Sequence, residues 1–140
     1  MEDDELRELY ASVRTIAVVG ASTDEEKPAH TVPAYLQAQG YRVVPVNPEA
    51  DEILGEPAVA SLDEIDVPVD VVLVFRPGAE APAIAEQAAA IGARVLWLQE
   101  GIVSLEAQRT GIAAGMQVLM DICMRATHRR LGLERPNPAG

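Results

Sequence analysis

Short runs of apolar, mostly β-branched residues alternate along the chain with longer stretches in which apolar positions recur every three or four residues. The short runs are typical of strands buried on both faces, and the longer stretches of amphipathic helices. The predicted strands are Thr15–Gly20, Tyr41–Val46, Val69–Phe75, Arg94–Leu98 and Met116–Met120. The predicted helices are Asp3–Val13, Pro28 to about Gln39, a short one opened by the capping box Ser61–Glu64, Ala79–Ile91, Leu105–Ala114 and Asp121–Leu131.

This strict alternation predicts a three-layer, Rossmann-like α/β fold with a five-stranded parallel sheet flanked by helices. Two segments fit less well. Pro33 interrupts the second helix, so this helix either begins near Thr31 or Val32 or has an irregular first turn. The segment Glu49–Pro57 is predicted to be an exposed loop, and no pair of strands carries a hairpin signal.

Composition narrows the class of protein. A length of 140 residues predicts a single domain over residues 1–135, followed by a frayed tail over 136–140. A net charge of −11 argues against binding nucleic acid through a broad basic surface. One cysteine excludes an internal disulfide framework and predicts a reducing, cytoplasmic location. No apolar stretch approaches 18 residues, so we expect no membrane span.

The strand exits are the places to look for a ligand, because open parallel sheets bind ligands at the carboxyl ends of their strands. At the first exit, Gly20-Ala21-Ser22 predicts a tight turn whose N–H groups and hydroxyl face an anion at the start of the next helix. Lys27, the only lysine, lies in the same loop, just before Pro28. The loop lacks both the full G-x-G-x-x-G spacing and the G-K-[ST] of an ATP-binding loop.

The other exits help to discriminate between ligands. Asn47 stands where NAD-binding domains commonly have an acid, and a neutral amide tolerates the ribose phosphate of coenzyme A better than a carboxylate does. An Asn-Pro turn is the structural alternative. Arg76 can form a forked pair with a phosphate, or it is simply a surface arginine. Gln99 and Glu100 add two polar groups at the fourth exit.

Taken in order, these exits read Val-Val-Gly-Ala-Ser, Pro-Val-Asn-Pro, Val-Phe-Arg-Pro and Trp-Leu-Gln-Glu-Gly. Together they resemble the small CoA-binding protein family, which is similar to the CoA-binding domain of the succinyl-CoA synthetase α subunit. The resemblance extends from about Leu6 to Leu131. The synthetase also needs a second domain with a phosphorylated histidine, so its chemistry is not carried over.

The resemblance implies coenzyme A as the cofactor and assigns a binding role to residues of all four exits. Gly20, Ala21, Ser22 and Lys27 would hold phosphates; Pro28 adjoins them. Asn47 and Pro48 would line the nucleotide site, and Phe75, Arg76 and Pro77 would flank the adenine. Gln99, Glu100 and Gly101 would lie near the path of the pantetheine arm.

No catalytic residue and no metal site is predicted. Cys123 and His128 match an Asp-x-Cys segment with a downstream histidine in the resembling family, but their spacing does not place them on one helix face. Cys123 is interpreted as a buried, inert thiol, with a mixed disulfide to coenzyme A as the alternative. His30 would bond either a phosphate or the local backbone. Glu100 would act as an acid or base only if burial raised its pKa.

Three functions follow from this sequence. The first is non-catalytic binding of coenzyme A or an acyl-CoA by a carrier, sensor or regulatory module, with a homodimer as one expected state. The second is a CoA-binding subunit of an acyl-CoA ligase that needs a partner chain. The third is an NAD(H)-responsive regulator, which would need a DNA-binding segment that the short acidic stretch before Thr15 does not supply.

Overall fold

The computed structural model describes residues 1–135, so the predicted tail at 136–140 lies outside the described residues. The elements are α1 (Asp3–Ser12), β1 (Thr15–Val19), α2 (Pro28–Ala38), β2 (Arg42–Val46), β3 (Glu52–Ile53), β4 (Glu56–Pro57), β5 (Val71–Val74), α3 (Ala81–Ala90), β6 (Val95–Leu98), α4 (Leu105–Ala113), β7 (Gln117–Leu119) and α5 (Met124–Arg130). Single 3-10 turns at Leu62–Glu64 and Gly78–Glu80 precede β5 and α3. No helix within residues 1–135 is long and apolar enough to cross a membrane.

The main sheet has five parallel strands in the order β2-β1-β5-β6-β7, which confirms the predicted Rossmann-like fold. Successive residues of each central strand enter different core clusters. Ile16 and Val18 pack in one cluster with Trp97, and Ala17 packs in the other with Leu96. The sheet is therefore buried on both faces, which explains why its strands are continuously apolar.

The segment predicted as an exposed loop over Glu49–Pro57 contains a small antiparallel hairpin, and this prediction was wrong. Leu54 and Gly55 form its turn with φ of 57° and 75°. A two-residue turn with both φ values positive favours Asn-Gly or Asp-Gly, and leucine in the first place gives no such signal. Burial of Ile53, 2% exposed, holds the hairpin against the core.

Pro33 neither delays nor interrupts α2, which begins at Pro28 and runs through it. A proline has no N–H to donate to the carbonyl four residues earlier, here that of Ala29. The Ala29 oxygen accepts instead from the N–H of Ser22, at 3.2 Å. The missing hydrogen bond inside the helix is thereby replaced by one to the loop that follows β1.

Asp70 ties together the amino ends of three strands. Its carboxylate accepts hydrogen bonds from the backbone N–H groups of Arg14 (2.9 Å) and Thr15 (3.0 Å), and from the guanidinium of Arg94 (3.1 Å). Burial raises the pKa of this carboxyl, but these three hydrogen bonds outweigh burial and hold the pKa below its ordinary value. The ionised side chain therefore stabilises the start of the sheet.

Substitution of Asp70 by asparagine is expected to lower the free energy of unfolding by about 1–3 kcal/mol at neutral pH. Because the folded pKa lies below the unfolded value of about 3.9, the stabilisation is complete above that pH and is lost as the pH falls through the folded pKa. Urea unfolding at neutral pH and at about pH 3 measures both effects. Asp66→Asn, at an exposed position nearby, is the matched control, and an equal loss in both variants would contradict this role.

Candidate functional site

A cleft of about 960 Å³ opens at the carboxyl ends of β1, β2 and β5. The strand order reverses between β1 and β5, because the chain places β2 on one side of β1 and then crosses to the other. Parallel sheets bind ligands at such a switch point. The volume lies within the range of about 300–1,000 Å³ that is usual for small-molecule and cofactor sites. We call this feature the strand-exit cleft.

Gly20 forms the sharp turn between β1 and the loop that lines this cleft. Its φ is +87°, in the left-handed region that favours glycine. A Cβ at this position would lie 2.9 Å from Cδ of Arg76 and 3.2 Å from the carbonyl oxygen of Phe75. The first and third strand exits therefore approach each other so closely that any residue larger than glycine would force Arg76 or the loop to move.

The carbonyl groups of the same loop are held by neighbouring side chains. The Asn47 amide donates to the oxygen of Ala21 at 2.9 Å, and Nδ1 of His30 lies 2.7 Å from the oxygen of Ser22. A carbonyl oxygen only accepts, so His30 carries a proton on Nδ1. Asn47 also accepts from the N–H of Glu49 at 2.8 Å. His30 and Asn47 therefore bond the local backbone, as their structural alternatives predicted.

The N–H groups of Gly20 and Ser22 donate to the carbonyls of Val46 and Ala29, at 3.1 and 3.2 Å, so the expectation that all three N–H groups of Gly20-Ala21-Ser22 face an anion was wrong. The N–H of Ala21 and the start of α2 are what the loop offers to an anion. Within residues 1–135, neither the N–H of Ala21, which is 1% exposed, nor that of Ala29 donates to another group. Lys27 is the N-cap residue of α2, and no side chain caps the helix. Buried N–H groups rarely lack partners, and an uncapped helix start attracts anions. The donor set fits the phosphates of a nucleotide cofactor.

Charged side chains of both signs line the cleft, with Lys27 and Arg76 opposed by Glu49 and Glu80. The Arg76 guanidinium donates twice to Glu80, at 2.8 and 3.1 Å. This hydrogen-bonded pair raises the pKa of Arg76 and lowers the pKa of Glu80. Both side chains are about half exposed, so water weakens the pair. A phosphate entering the cleft would compete with Glu80 for Arg76.

The structure brings together the predicted residues of the first three exits. The cleft lining includes Gly20, Ala21, Ser22, Lys27, Asn47, Pro48, Phe75 and Arg76. Pro28 is the first residue of α2, beside this lining, and Pro77 precedes the 3-10 turn that follows Arg76. The contacts of these residues with a cofactor stay predictions.

The fourth exit lies outside the cleft, because β6 is one strand farther from the switch point. Gln99 is 5% exposed, and its side-chain oxygen accepts from the N–H of Met124 at 3.2 Å. The N–H of Gly101 donates to the Asp121 carboxylate at 2.7 Å, and Glu100 is exposed. Gln99 and Gly101 thus join β6 to the segment before α5, and Glu100 lacks the burial that acid–base chemistry would need.

Two further segments line the cleft without having been expected there. The N–H of Asn47 donates to the carbonyl of Val59 at 2.8 Å, which brings the segment 60–62 beside the end of β2. The first turns of α3 supply the other segment, with Ala83, Ile84 and Gln87. The capping box at Ser61 predicted a turn, but no sequence pattern indicates which strand that turn accompanies.

Cys123 and His128 do not form a nucleophilic pair. Cys123 is the N-cap residue of α5, and its sulfur accepts from the N–H of Ala126 at 3.4 Å. Its side chain is partly exposed, so the prediction of a buried thiol was wrong. His128 is buried, with Nδ1 2.7 Å from the hydroxyl of Tyr35. Within residues 1–135, no group of three or more acidic, histidine or cysteine side chains is placed to hold a metal ion.

Comparison with known sequences identifies the family. The profile of the family described as CoA binding domain matches residues 14–129, which include the whole main sheet and the strand-exit cleft. The chain belongs to this CoA-binding domain family. Membership confirms the resemblance drawn from the four strand exits.

Some relatives match this chain over nearly their whole length, and others are larger enzymes that the chain matches only in part. YneT of Bacillus subtilis is 41% identical over 124 residues, which are 89% of this chain and 92% of YneT. The structure of cell-free ID.343 from Thermus thermophilus has a TM-score of 0.90 and 44% identity, over 94% of this chain and 99% of that one. The dinucleotide-forming acetyl-coenzyme A synthetase 1 of Ca. Korarchaeum cryptofilum has a TM-score of 0.69 and 25% identity, over 77% of this chain and 26% of the synthetase. Part of the chain (53%) is also 26% identical, over 74 residues, to 10% of the ADP-forming acetate–CoA ligase of Methanocaldococcus jannaschii. The domain is therefore related to the CoA-binding part of ADP-forming acyl-CoA ligases.

Proposed function

We propose that this protein binds coenzyme A or an acyl-CoA in the strand-exit cleft, with phosphates against the loop that begins at Gly20. The observation that carries the proposal is the arrangement of hydrogen-bond donors and acceptors around this loop. Asn47 and His30 bond the carbonyls of Ala21 and Ser22, while the N–H groups of Ala21 and Ala29 have no acceptor within residues 1–135. A loop so arranged favours an anion over a cation or a neutral group.

The side chains around the loop suit the parts of coenzyme A. The Ser22 oxygen already accepts from the N–H of Asp24, which leaves its hydroxyl proton to donate to a phosphate. Lys27 and Arg76 supply positive charge, and Phe75 an aromatic face for the adenine. When bound, coenzyme A supplies a thiol that carries acyl groups as thioesters. The direction of the pantetheine arm toward Gln99 stays a prediction.

The proposed role is binding without catalysis, as a carrier, sensor or regulatory module. In the described part of the chain, the strand-exit cleft contains no cysteine and no paired acid and base of the kind that acyl transfer requires. Location in the cytoplasm and association of two copies are further predictions. Size-exclusion chromatography with light scattering tests the second of them.

The CoA proposal is tested by calorimetric titration of the full chain with coenzyme A and, separately, with NADH. We expect micromolar binding of coenzyme A, equivalent to about −8 kcal/mol, and none of NADH. Lys27→Ala should weaken coenzyme A binding about tenfold, because it removes a charge from the helix start. Arg109→Ala removes an equal charge from an exposed position outside the cleft and should have no such effect. Undetectable binding at millimolar coenzyme A would disprove the proposal.

Similarity to the acetyl-coenzyme A synthetase favours a second candidate, a CoA-binding subunit that needs a partner chain. The match covers 77% of this chain and 26% of that synthetase, so most of the synthetase has no counterpart in the matched residues. Affinity purification from the source cells with coenzyme A present tests it. Stoichiometric recovery of an ATP-binding ligase chain, with acyl-CoA formation by the pair, would support the ligase subunit over the binding module.

Glu80→Gln is expected to strengthen coenzyme A binding about threefold to tenfold. The substitution releases Arg76 from its paired carboxylate and removes a negative charge from the cleft. Glu86→Gln, which neutralises an exposed carboxylate outside the cleft on α3, the helix that Glu80 precedes, is the control. Calorimetry of both variants at low and high salt separates the release of Arg76 from the general effect of removing a negative charge. Equal changes in coenzyme A affinity in the two variants would mean that only net charge matters.

A further inference from the structure

A second pocket, of about 510 Å³, lies at the opposite edge of the sheet from the strand-exit cleft. Thr15 and Arg42, which begin β1 and β2, line it, whereas the cleft lies at the other ends of the same strands. The four residue steps from Thr15 to Val19, at about 3.3 Å each, separate the two sites by roughly 13 Å along β1. We call it the arginine pocket, after four of its lining residues: Arg7, Arg14, Arg42 and Arg135.

The arginine pocket is positively charged, whereas the whole molecule has a net negative charge. The chain has 22 acidic and 11 basic side chains, yet four arginines and no aspartate or glutamate line this pocket. Arg7 pairs with Asp4 at its rim, at 3.2 Å. Within residues 1–135, Arg14, Arg42 and Arg135 form no ion pair. Their charges are therefore available to an anion from solution.

The wall of the pocket contains a buried polar group that is only partly bonded. His128 is 3% exposed and lies between the rings of Tyr10 and Tyr41, with ring centres 5.2 and 6.0 Å away. Its Nδ1 bonds the hydroxyl of Tyr35. Its Nε2 has no hydrogen-bond partner within residues 1–135, and the ring borders the pocket. No fully buried side-chain nitrogen or oxygen of the described residues lacks a partner, so Nε2 is not sealed from solvent and can bond a ligand oxygen that enters the pocket.

We propose that the arginine pocket is a binding site for a small multivalent anion that carries phosphoryl or carboxyl groups. Guanidinium groups bond both kinds of oxygen in pairs, and several converging arginines select ligands with more than one charge. The volume suits a compact metabolite rather than a polymer. This proposal is independent of the function proposed for the strand-exit cleft, since the two sites share no lining residue.

Calorimetric titration of the full chain at low salt, with inorganic tripolyphosphate and separately with citrate, tests the proposal. We expect one equivalent of at least one of the two to bind. The double variant Arg14→Ala/Arg42→Ala should weaken that binding at least about tenfold. Arg109→Ala/Arg125→Ala removes the same charge from two positions outside the pocket that form no ion pair within residues 1–135, and it is the matched control. Comparison of the affinities for tripolyphosphate and citrate shows whether the pocket prefers phosphoryl or carboxyl groups.

Two further measurements test whether the arginine pocket and the strand-exit cleft bind separately: titration of a cleft variant and titration in the presence of saturating coenzyme A. Lys27→Ala, in the strand-exit cleft, should leave binding of the anion unchanged, and coenzyme A should not displace it. Binding of neither anion at millimolar concentration would refute the proposal, as would equal losses in the two double variants. Displacement by coenzyme A would likewise refute a separate site. Circular dichroism melting confirms that each variant is folded.

Discussion

Replacement of Gly20 by alanine is expected to weaken coenzyme A binding at least tenfold, and to lower the free energy of unfolding by about 1–3 kcal/mol. Two effects add at this position. The backbone has a φ of +87°, which a residue with a Cβ adopts only under strain. The new methyl group would also meet Arg76 at 2.9 Å, so the arginine or the loop has to move. Calorimetry and urea unfolding measure the two losses separately.

Gly92→Ala is the matched control for this prediction. Gly92 follows α3 with a φ of +77°, but a Cβ there would meet no atom within 4 Å. Backbone strain alone should therefore destabilise this variant by a similar amount while coenzyme A binds with unchanged affinity. If both variants keep full affinity, the loop at Gly20 is not the phosphate site. If both lose it equally, the loss comes from unfolding rather than from the cleft.

Trp97→Ala is expected to cause the largest loss of stability, about 3–5 kcal/mol, with a melting temperature lower by roughly 10–20 °C. Trp97 lies in β6, is fully buried, and packs its ring 5.7 Å from that of Tyr10 on α1. Its Nε1 donates to the carbonyl of Ile122 at 2.8 Å. Alanine would leave a cavity between the sheet and α1 and an unpaired carbonyl before α5. Thermal and urea unfolding provide the measurement.

Trp97→Phe separates the contribution of the Nε1 hydrogen bond to stability from that of ring packing. Phenylalanine retains most of the apolar volume but has no donor for the carbonyl of Ile122, so about 1–3 kcal/mol should be lost. The difference between the two variants then measures the packing of the ring. A loss in Trp97→Ala no greater than in Trp97→Phe would contradict the central position of this side chain in the core.

Much of the fold could be predicted from local patterns, because each strand of the main sheet is buried on both faces. A strand such as Val71–Val74 has no polar face, so it appears as an unbroken apolar run between helical stretches. The small hairpin was missed for the opposite reason. Its turn places Leu54 at positive φ, and its stability comes from burial of Ile53 against distant residues.

The candidate site was only partly predictable, because strand exits are local but strand order is not. Gly20, Asn47 and Phe75 each follow a strand in the sequence, and β1 between β2 and β5 brings the three exits together. Gln99 also follows a strand, yet β6 lies one place farther along the sheet and the side chain bonds Met124 instead. Residues with the same position after a strand in the sequence therefore lie in different surroundings: three exits line the cleft, and the fourth bonds the segment before α5.

The sequence by itself determined the alternation of elements, the turn at Gly20 and the family, because strand burial, glycine conformation and ordered motifs are properties of short segments. Tertiary structure decided what those segments do. It turned Asn47 and His30 toward the loop carbonyls, bonded Arg76 to Glu80, and gathered four arginines at the far edge of the sheet. These relations join residues far apart in the chain or depend on side-chain direction, and only packing fixes both.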